Sequence, residues 1–181
     1  MTKQLIATIC ILGLVGMVVG IGIDAADVDV TVTPQIVSVT VEDGSVDYGI
    51  LVAGGTNNTF DGAATADTQT ITSTSNVSTD ILLRSSDAAK SGAAGVTDWA
   101  LAGTAGTDIF VHSYEIDASG SATWAVFPSD GTFANTNTGT VVTLANNNDT
   151  ATLDLKIDMP TIINDTTAHS IDVTVVATAS Q

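Results

Sequence analysis

Residues 27–41 read Asp27-Val28-Asp29-Val30-Thr31-Val32-Thr33, then Pro34-Gln35, then Ile36-Val37-Ser38-Val39-Thr40-Val41. Val28, Val30 and Val32 alternate with Asp29, Thr31 and Thr33, and Val37, Val39 and Val41 alternate with Ser38 and Thr40. Neighbouring side chains of an extended chain point to opposite faces, so a period of two gives each segment one apolar and one wet face. β-Branched residues suit such a pleated, half-buried surface. Two consecutive strands hinged at Pro34 are expected, because proline cannot donate to a ladder.

The same patterning continues along the chain. Strands are expected near Val46 to Leu51, Thr68 to Ser73, Thr79 to Arg84, Trp99 to Gly103, Ile109 to Ile116, Thr123 to Phe127, Thr140 to Leu144, Thr150 to Ile157 and Ser170 to Ala177. Turn and loop compositions separate them at residues 54–58, Ser86 to Gly95, Asp117 to Ser121, Ser129 to Gly131 and Asn146 to Asp149. Leu153, Leu155 and Ile157 alternate with Asp154, Lys156 and Asp158, and Ile171, Val173 and Val175 with Asp172 and Thr174, which marks the clearest core faces. Trp99 and Trp124 are the largest side chains available to that core. Many short strands without βαβ alternation, and no helical stripe after residue 26, predict an all-β fold of two packed antiparallel sheets. The expected architecture is an immunoglobulin-like or jelly-roll β-sandwich, with a closed barrel as the competing arrangement.

Ahead of these strands, Met1-Thr2-Lys3 gives a positive start and Leu5 to Ile23 is a run of 19 uncharged residues ended by Asp24. A positive end, an apolar run and small residues at Gly20, Gly22, Ala25 and Ala26 form the pattern of an export signal cut near Ala26. Uncut, the run is long enough for a membrane anchor through residues 5–23, the one expected membrane contact. Residues 1–26 are thus read as signal peptide or anchor, and 27–181 as a single domain whose first residues, 27–35, form a possible exchange strand. Either way the domain lies outside, secreted or at the cell surface, with Lys3 inside. An archaeal pilin signal is disfavoured, because Gln4 follows Lys3 directly where such signals place a small residue. Cys10 is the only cysteine, preceded by Ile9 rather than by a small residue. No lipid attachment and no disulfide is expected, and residues 27–181 are enough to build a core without one.

The charge excludes partners. With 20 acidic and 4 basic residues the formal charge is −16. Arg84, Lys90 and Lys156 are the bases left after Lys3, too few to neutralise phosphates, so nucleic acid is not an expected partner. Anionic membrane surfaces are disfavoured on the same ground. Removing residues 1–26 takes away Lys3 and Asp24, which leaves 19 acids against 3 bases in the domain itself.

Within residues 46–84, Val46-Asp47-Tyr48-Gly49-Ile50-Leu51-Val52-Ala53-Gly54-Gly55, Thr68-Gln69-Thr70-Ile71-Thr72 and Ser75-Asn76-Val77-Ser78-Thr79-Asp80-Ile81-Leu82-Leu83 set a short strand, a glycine turn, a polar strand, an asparagine turn and another strand in succession. This run, roughly a third of the chain, resembles secreted prokaryotic sandwich domains, including the TasA/camelysin group of cell-surface and biofilm-fibre proteins. The resemblance implies an exported structural protein. Members described as metalloproteases lend no role here, since the chain has no His-Glu-x-x-His.

Catalytic constellations are missing from the sequence. His112 and His169 have no second ligand at metal-binding spacing, and His112 alternates with Phe110, Tyr114 and Ile116 on an apolar strand face, as a structural histidine would. No Gly-x-Ser-x-Gly elbow or phosphate loop occurs, and the Asp154 and Asp158 pair is of a kind that 20 acids produce by chance. No catalytic residue and no cofactor is expected. Of the 20 acids 18 are Asp, and Asp43, Asp61, Asp87, Asp117, Asp130 and Asp149 fall in loop-like sequence, where an aspartate binds nearby backbone amides. The sharper reading of those aspartates is structural calcium between loops. Asn57, Asn76, Asn148 and Asn164 head N-glycosylation patterns, relevant only in a glycosylating host.

Two functions fit. The first is a non-enzymatic structural or adhesive surface protein that self-associates into fibres or a coat, residues 27–33 adding as a strand to a neighbour's sheet. The second is a binding module recognising a glycan or another protein through loops Ser86 to Asp98 and Asn57 to Asp67.

Overall fold

The computed structural model describes residues 32–60, 66–90, 98–118, 123–134 and 140–180. The chain divides into two compact units, Met1–Pro34 and Gln35–Gln181. Every described strand belongs to the second, and the expected signal run and the strand at Val28 to Val32 lie outside the described residues, apart from Val32. Among the described residues there is no helix, and none long and apolar enough to cross a membrane. The fold is all-β.

The strands are β1 (Val39–Val41), β2 (Thr56–Asn58), β3 (Gln69–Ser73), β4 (Thr79–Ser85), β5 (Ala89–Lys90), β6 (Ala100–Leu101), β7 (Ile109–Ile116), β8 (Ala125–Val126), β9 (Thr140–Leu144), β10 (Thr150–Asp158), β11 (His169–Ser170) and β12 (Val173–Ala179). A seven-stranded sheet runs β1-β3-β10-β7-β6, with β2 also on β10 and β8 also on β7. A three-stranded sheet runs β12-β4-β9, and β11 pairs with β5. β10 organises the larger sheet: Thr150 to Leu153 pair with β3 and Lys156 to Asp158 with β2 on one rim, while Leu153 to Asp158 pair with β7 on the other.

The two larger sheets share one core. Alternation puts Ile71 of β3, Ile81 and Leu83 of β4, Leu144 of β9, and Leu153, Leu155 and Ile157 of β10 into it, together with Phe110, Phe127, Trp99 and Met159. The two expected core faces thus come from different sheets, β10 from the larger and β12 from the smaller, where Val173, Val175 and Ala177 pack on the rim of the core.

Several expectations are corrected. Val46 to Leu51 is a loop, not a strand, because Asp47 Oδ1 accepts the Gly49 amide at 2.8 Å and Gly49 takes a left-handed φ of 72°. That turn aims Ile50 fully into solvent. Residues 56–58, expected as turn, form β2, since Thr56 and both asparagines meet the unused rim of β10. Ala89 and Lys90, expected in a loop, pair with His169 and Ser170. The expected strand from Ser170 to Ala177 breaks into β11 and β12 at Ile171 and Asp172, where Ser86 exchanges hydrogen bonds with Asp172 through its amide and its hydroxyl. The β6–β7 pair is parallel, unlike every other strand pair among the described residues. Asp154 does not face water: it is buried, and the hydroxyls of Thr59 and Thr68 donate to it. Trp124 is only half-buried and outside the core, whereas Trp99 is inside it.

Truncating Trp99 to Ala is expected to cost about 3–5 kcal/mol, and Trp124→Ala clearly less. Urea unfolding of both variants checks this, and equal losses would contradict the core assignment.

Candidate functional site

His112 is the first of the polar residues that sequence singled out. β7 carries it between Val111 and Ser113 on the inner side of the larger sheet, 1% exposed. Its Nδ1 lies 2.8 Å from Ser85 Oγ on β4, and its Nε2 lies 3.0 Å from Tyr48 Oη. Phe110 and Phe127 flank the ring. A neutral imidazole donates from one nitrogen and accepts at the other, and a hydroxyl can do either, so both nitrogens are satisfied without charge. Burial pushes the His112 pKa down to about 4, and it raises the Tyr48 phenol above its ordinary value. Ser85 is as buried as His112. The Ser–His contact has the distance of a nucleophile and base, but both side chains are buried. Its effect is mechanical: it ties the three-stranded sheet to the seven-stranded sheet and to the loop before β2.

Sequence pointed to His112 but not to Ser85 or Tyr48. The available signal was alternation on β4, where Thr79, Ile81, Leu83 and Ser85 face inward, placing a hydroxyl at an inward position.

His169 sits in a different environment. Its ring stacks on Trp99 with centroids 3.9 Å apart and planes 16° from parallel. Thr167 O lies 2.8 Å from its Nδ1, which therefore carries the proton. Nε2 of His169 and Nε1 of Trp99 are buried without hydrogen-bond partners. Beside this stack Lys90 Nζ meets Asp165 Oδ2 at 2.8 Å. The Lys90 ammonium, with the Thr167 amide and hydroxyl, holds the Asp165 carboxyl down at about 2. Ring stack and ion pair together clip β11 to β5.

The two carboxylates that sequence considered together are separated in role. Asp154 Oδ1 accepts from the hydroxyls of Thr59 (3.2 Å) and Thr68 (2.5 Å), while Asp158 pairs with Lys156 Nζ at 3.1 Å. Thr59 also accepts the Leu155 amide through Oγ1 and donates its own amide to Leu155 O, so this cluster seals the outer side of β10.

The loop aspartates bind backbone. Asp43 accepts from Ser45 N, Asp87 from Leu101 N, Asp117 from Thr152 N, Asp130 from Asp87 N, and Asp149 from Ala145 N and Thr150 N. Asp61 lies outside the described residues. Among the described residues no three of His, Cys, Asp and Glu gather in a way that could hold a metal ion. The two candidate recognition loops are only partly described: 57–60 and 66–67 of one, 86–90 and 98 of the other.

What remains open to a partner is backbone and apolar surface. β12 is the rim of the three-stranded sheet, and among the described residues it pairs with β4 alone, over all seven of its residues. Ile50, Val52 and Ile162 are exposed on two loops that meet where Gly54 N donates to Pro160 O at 2.8 Å.

No family model, curated protein or solved structure matches the chain. The chemistry of its own residues is therefore what bears on function.

Stability is expected to depend on pH through His112. Its folded value of about 4 lies below the ordinary value of 6.5, so the unfolded chain binds the proton more tightly. The stabilisation is complete above pH 6.5 and is lost as pH falls from there to about 4, amounting to roughly 3 kcal/mol. Urea midpoints across that window should fall in the parent and stay level in His112→Gln. A parent midpoint unchanged between pH 7 and 4.5 would contradict the buried neutral imidazole.

Proposed function

We propose that the chain is an exported, non-enzymatic structural protein of the cell surface, a β-sandwich of immunoglobulin-like or jelly-roll type that self-assembles by strand addition. In this reading residues 1–26 are the signal or anchor and residues 27–33 the strand offered to a neighbour. The observation that carries it is the rim of the smaller sheet, unpaired among the described residues: β12, Val173-Thr174-Val175-Val176-Ala177-Thr178-Ala179, has no charge, proline or glycine in a chain of charge −16. Sheet rims that are not meant to pair are commonly guarded by charge, proline or a bulge, and an unguarded one is a template for another strand. The division of the chain at Pro34 supports the same reading, since it falls directly after the strand-patterned residues 27–33. The sealed surroundings of His112, Ser85 and Asp154 favour a structural role over catalysis.

A second reading, a module that binds another protein, is favoured by the exposed Ile50, Val52 and Ile162. Its loops differ from those indicated by sequence, and aliphatic side chains suit a protein partner better than a glycan.

Negative-stain microscopy of the full chain at high and low salt, beside a chain lacking residues 27–33, separates the readings. Filaments that disappear on deletion while the circular dichroism of the folded domain is retained are expected. Monodisperse particles from both chains would move the weight to the binding module, and an unfolded deletion product would return residues 27–33 to the domain's own sheet.

A further inference from the structure

We infer that the open rim of β12 pairs with β12 of a second copy, in antiparallel register about a two-fold axis at Val176. The inference rests on self-association as proposed above, but it gives this rim to a second β12 in place of residues 27–33.

Hydrogen-bond direction along β12 is fixed by its neighbour. Asp172 O accepts from Ser86 N, and Ser180 N donates to Ser78 O. Those residues flank β12 in the same register as Thr174↔Arg84, Val176↔Leu82 and Thr178↔Asp80. Ladder bonds of an antiparallel pair alternate, so even-numbered residues turn their amides and carbonyls towards β4. Val173, Val175, Ala177 and Ala179 turn theirs outward. Among the described residues nothing bonds to them.

A second β12 meets those groups in register. Centred on Val176, the pairs are Val173 with Ala179, Thr174 with Thr178, and Val175 with Ala177, each formed twice. Odd residues face odd residues, giving about eight new ladder bonds, and every side chain keeps its face of the sheet. The outer face adds a second reason. Leu82 and Val176 lie side by side there, half-buried, at positions where a solvated sheet carries polar residues. Pairing places Val176 against its own copy and extends the two into a row of four aliphatic side chains. Thr174 meets Thr178 on either side of that row, a favourable cross-strand pair.

Charge selects this occupant. Two chains of charge −16 repel, and the contact that brings acids least close is the longest uncharged strand on a sheet rim. Residues 27–33 carry Asp27 and Asp29, whereas β12 brings no acid to the contact.

The test uses the full chain with Cys10→Ser and Val176→Cys, which leaves a single thiol, at position 176. The axis runs through a non-hydrogen-bonded pair, whose Cα separation of about 4.5 Å suits a disulfide. Mild oxidation is expected to link position 176 of one copy to position 176 of a second, identified by peptide mapping. Ala177→Pro removes one outward amide and leaves the β4 ladder whole. It is expected to weaken dimer formation at least tenfold by light scattering, with an unchanged circular dichroism spectrum. The inference is overturned if no link forms, if a chain that also carries Val30→Cys links position 176 only to position 30, or if Ala177→Pro dimerises like the parent. Filaments that persist while the thiol at position 176 stays unlinked would overturn the β12 pairing and leave the proposed assembly standing.

Discussion

Backbone hydrogen bonding on β10 is the constraint from which the rest of the architecture follows. A buried strand has to satisfy its amides and carbonyls on both rims. β10 does so with β7 along one side and with β3 and β2 end to end along the other. In the gap between β3 and β2 on that rim Thr59 exchanges hydrogen bonds with Leu155, and the hydroxyls of Thr59 and Thr68 hold Asp154. With its outer face sealed there, the larger sheet presents its inner face to β4, and His112 fixes the approach through Ser85. Replacing that polar tie with a charged group would put an ion in a place without water, which is why the imidazole stays neutral well into the acid range.

The smaller sheet is built differently. β4 is its saturated centre, paired with β9 and β12, and its inward residues fill the core. β12 has one satisfied rim and, among the described residues, one open rim. The chain thus places its charges where they oppose association, on loops and on outer faces such as that of Arg84 and Asp80, and leaves one long rim without them.

Much of this was legible in the sequence wherever alternation was uninterrupted. Ile109 to Ile116 and Thr140 to Leu144 are strands at the residues expected, and β3, β4 and β10 differ from expectation only at their ends. The pattern failed where a side chain competed with the ladder. Val46 to Leu51 alternates acceptably, but the Asp47 carboxylate captures the Gly49 amide and turns the chain. Asn57 and Asn58 look like turn residues, yet a vacant rim on β10 outweighed their local preference. Tertiary cover could not be read at all: nothing in Leu153 to Asp158 announces that Asp154 is buried against two distant threonines while Asp158 is not. The inward position of His112 was readable from Phe110 and Tyr114, whereas its partners, 27 and 64 residues away, were not. The open rim was invisible in the same way, because the sequence shows an uncharged strand but not which strand has a neighbour on only one side.

Residue-resolved amide hydrogen exchange along β12, in dilute protein and in associated protein, tests most directly whether this rim is where the chain associates. The even-numbered residues, bonded to β4, should exchange slowly in both states. Val173, Val175, Ala177 and Ala179 should exchange freely when dilute and become protected on association. Association that leaves those four amides exchanging freely would contradict the account.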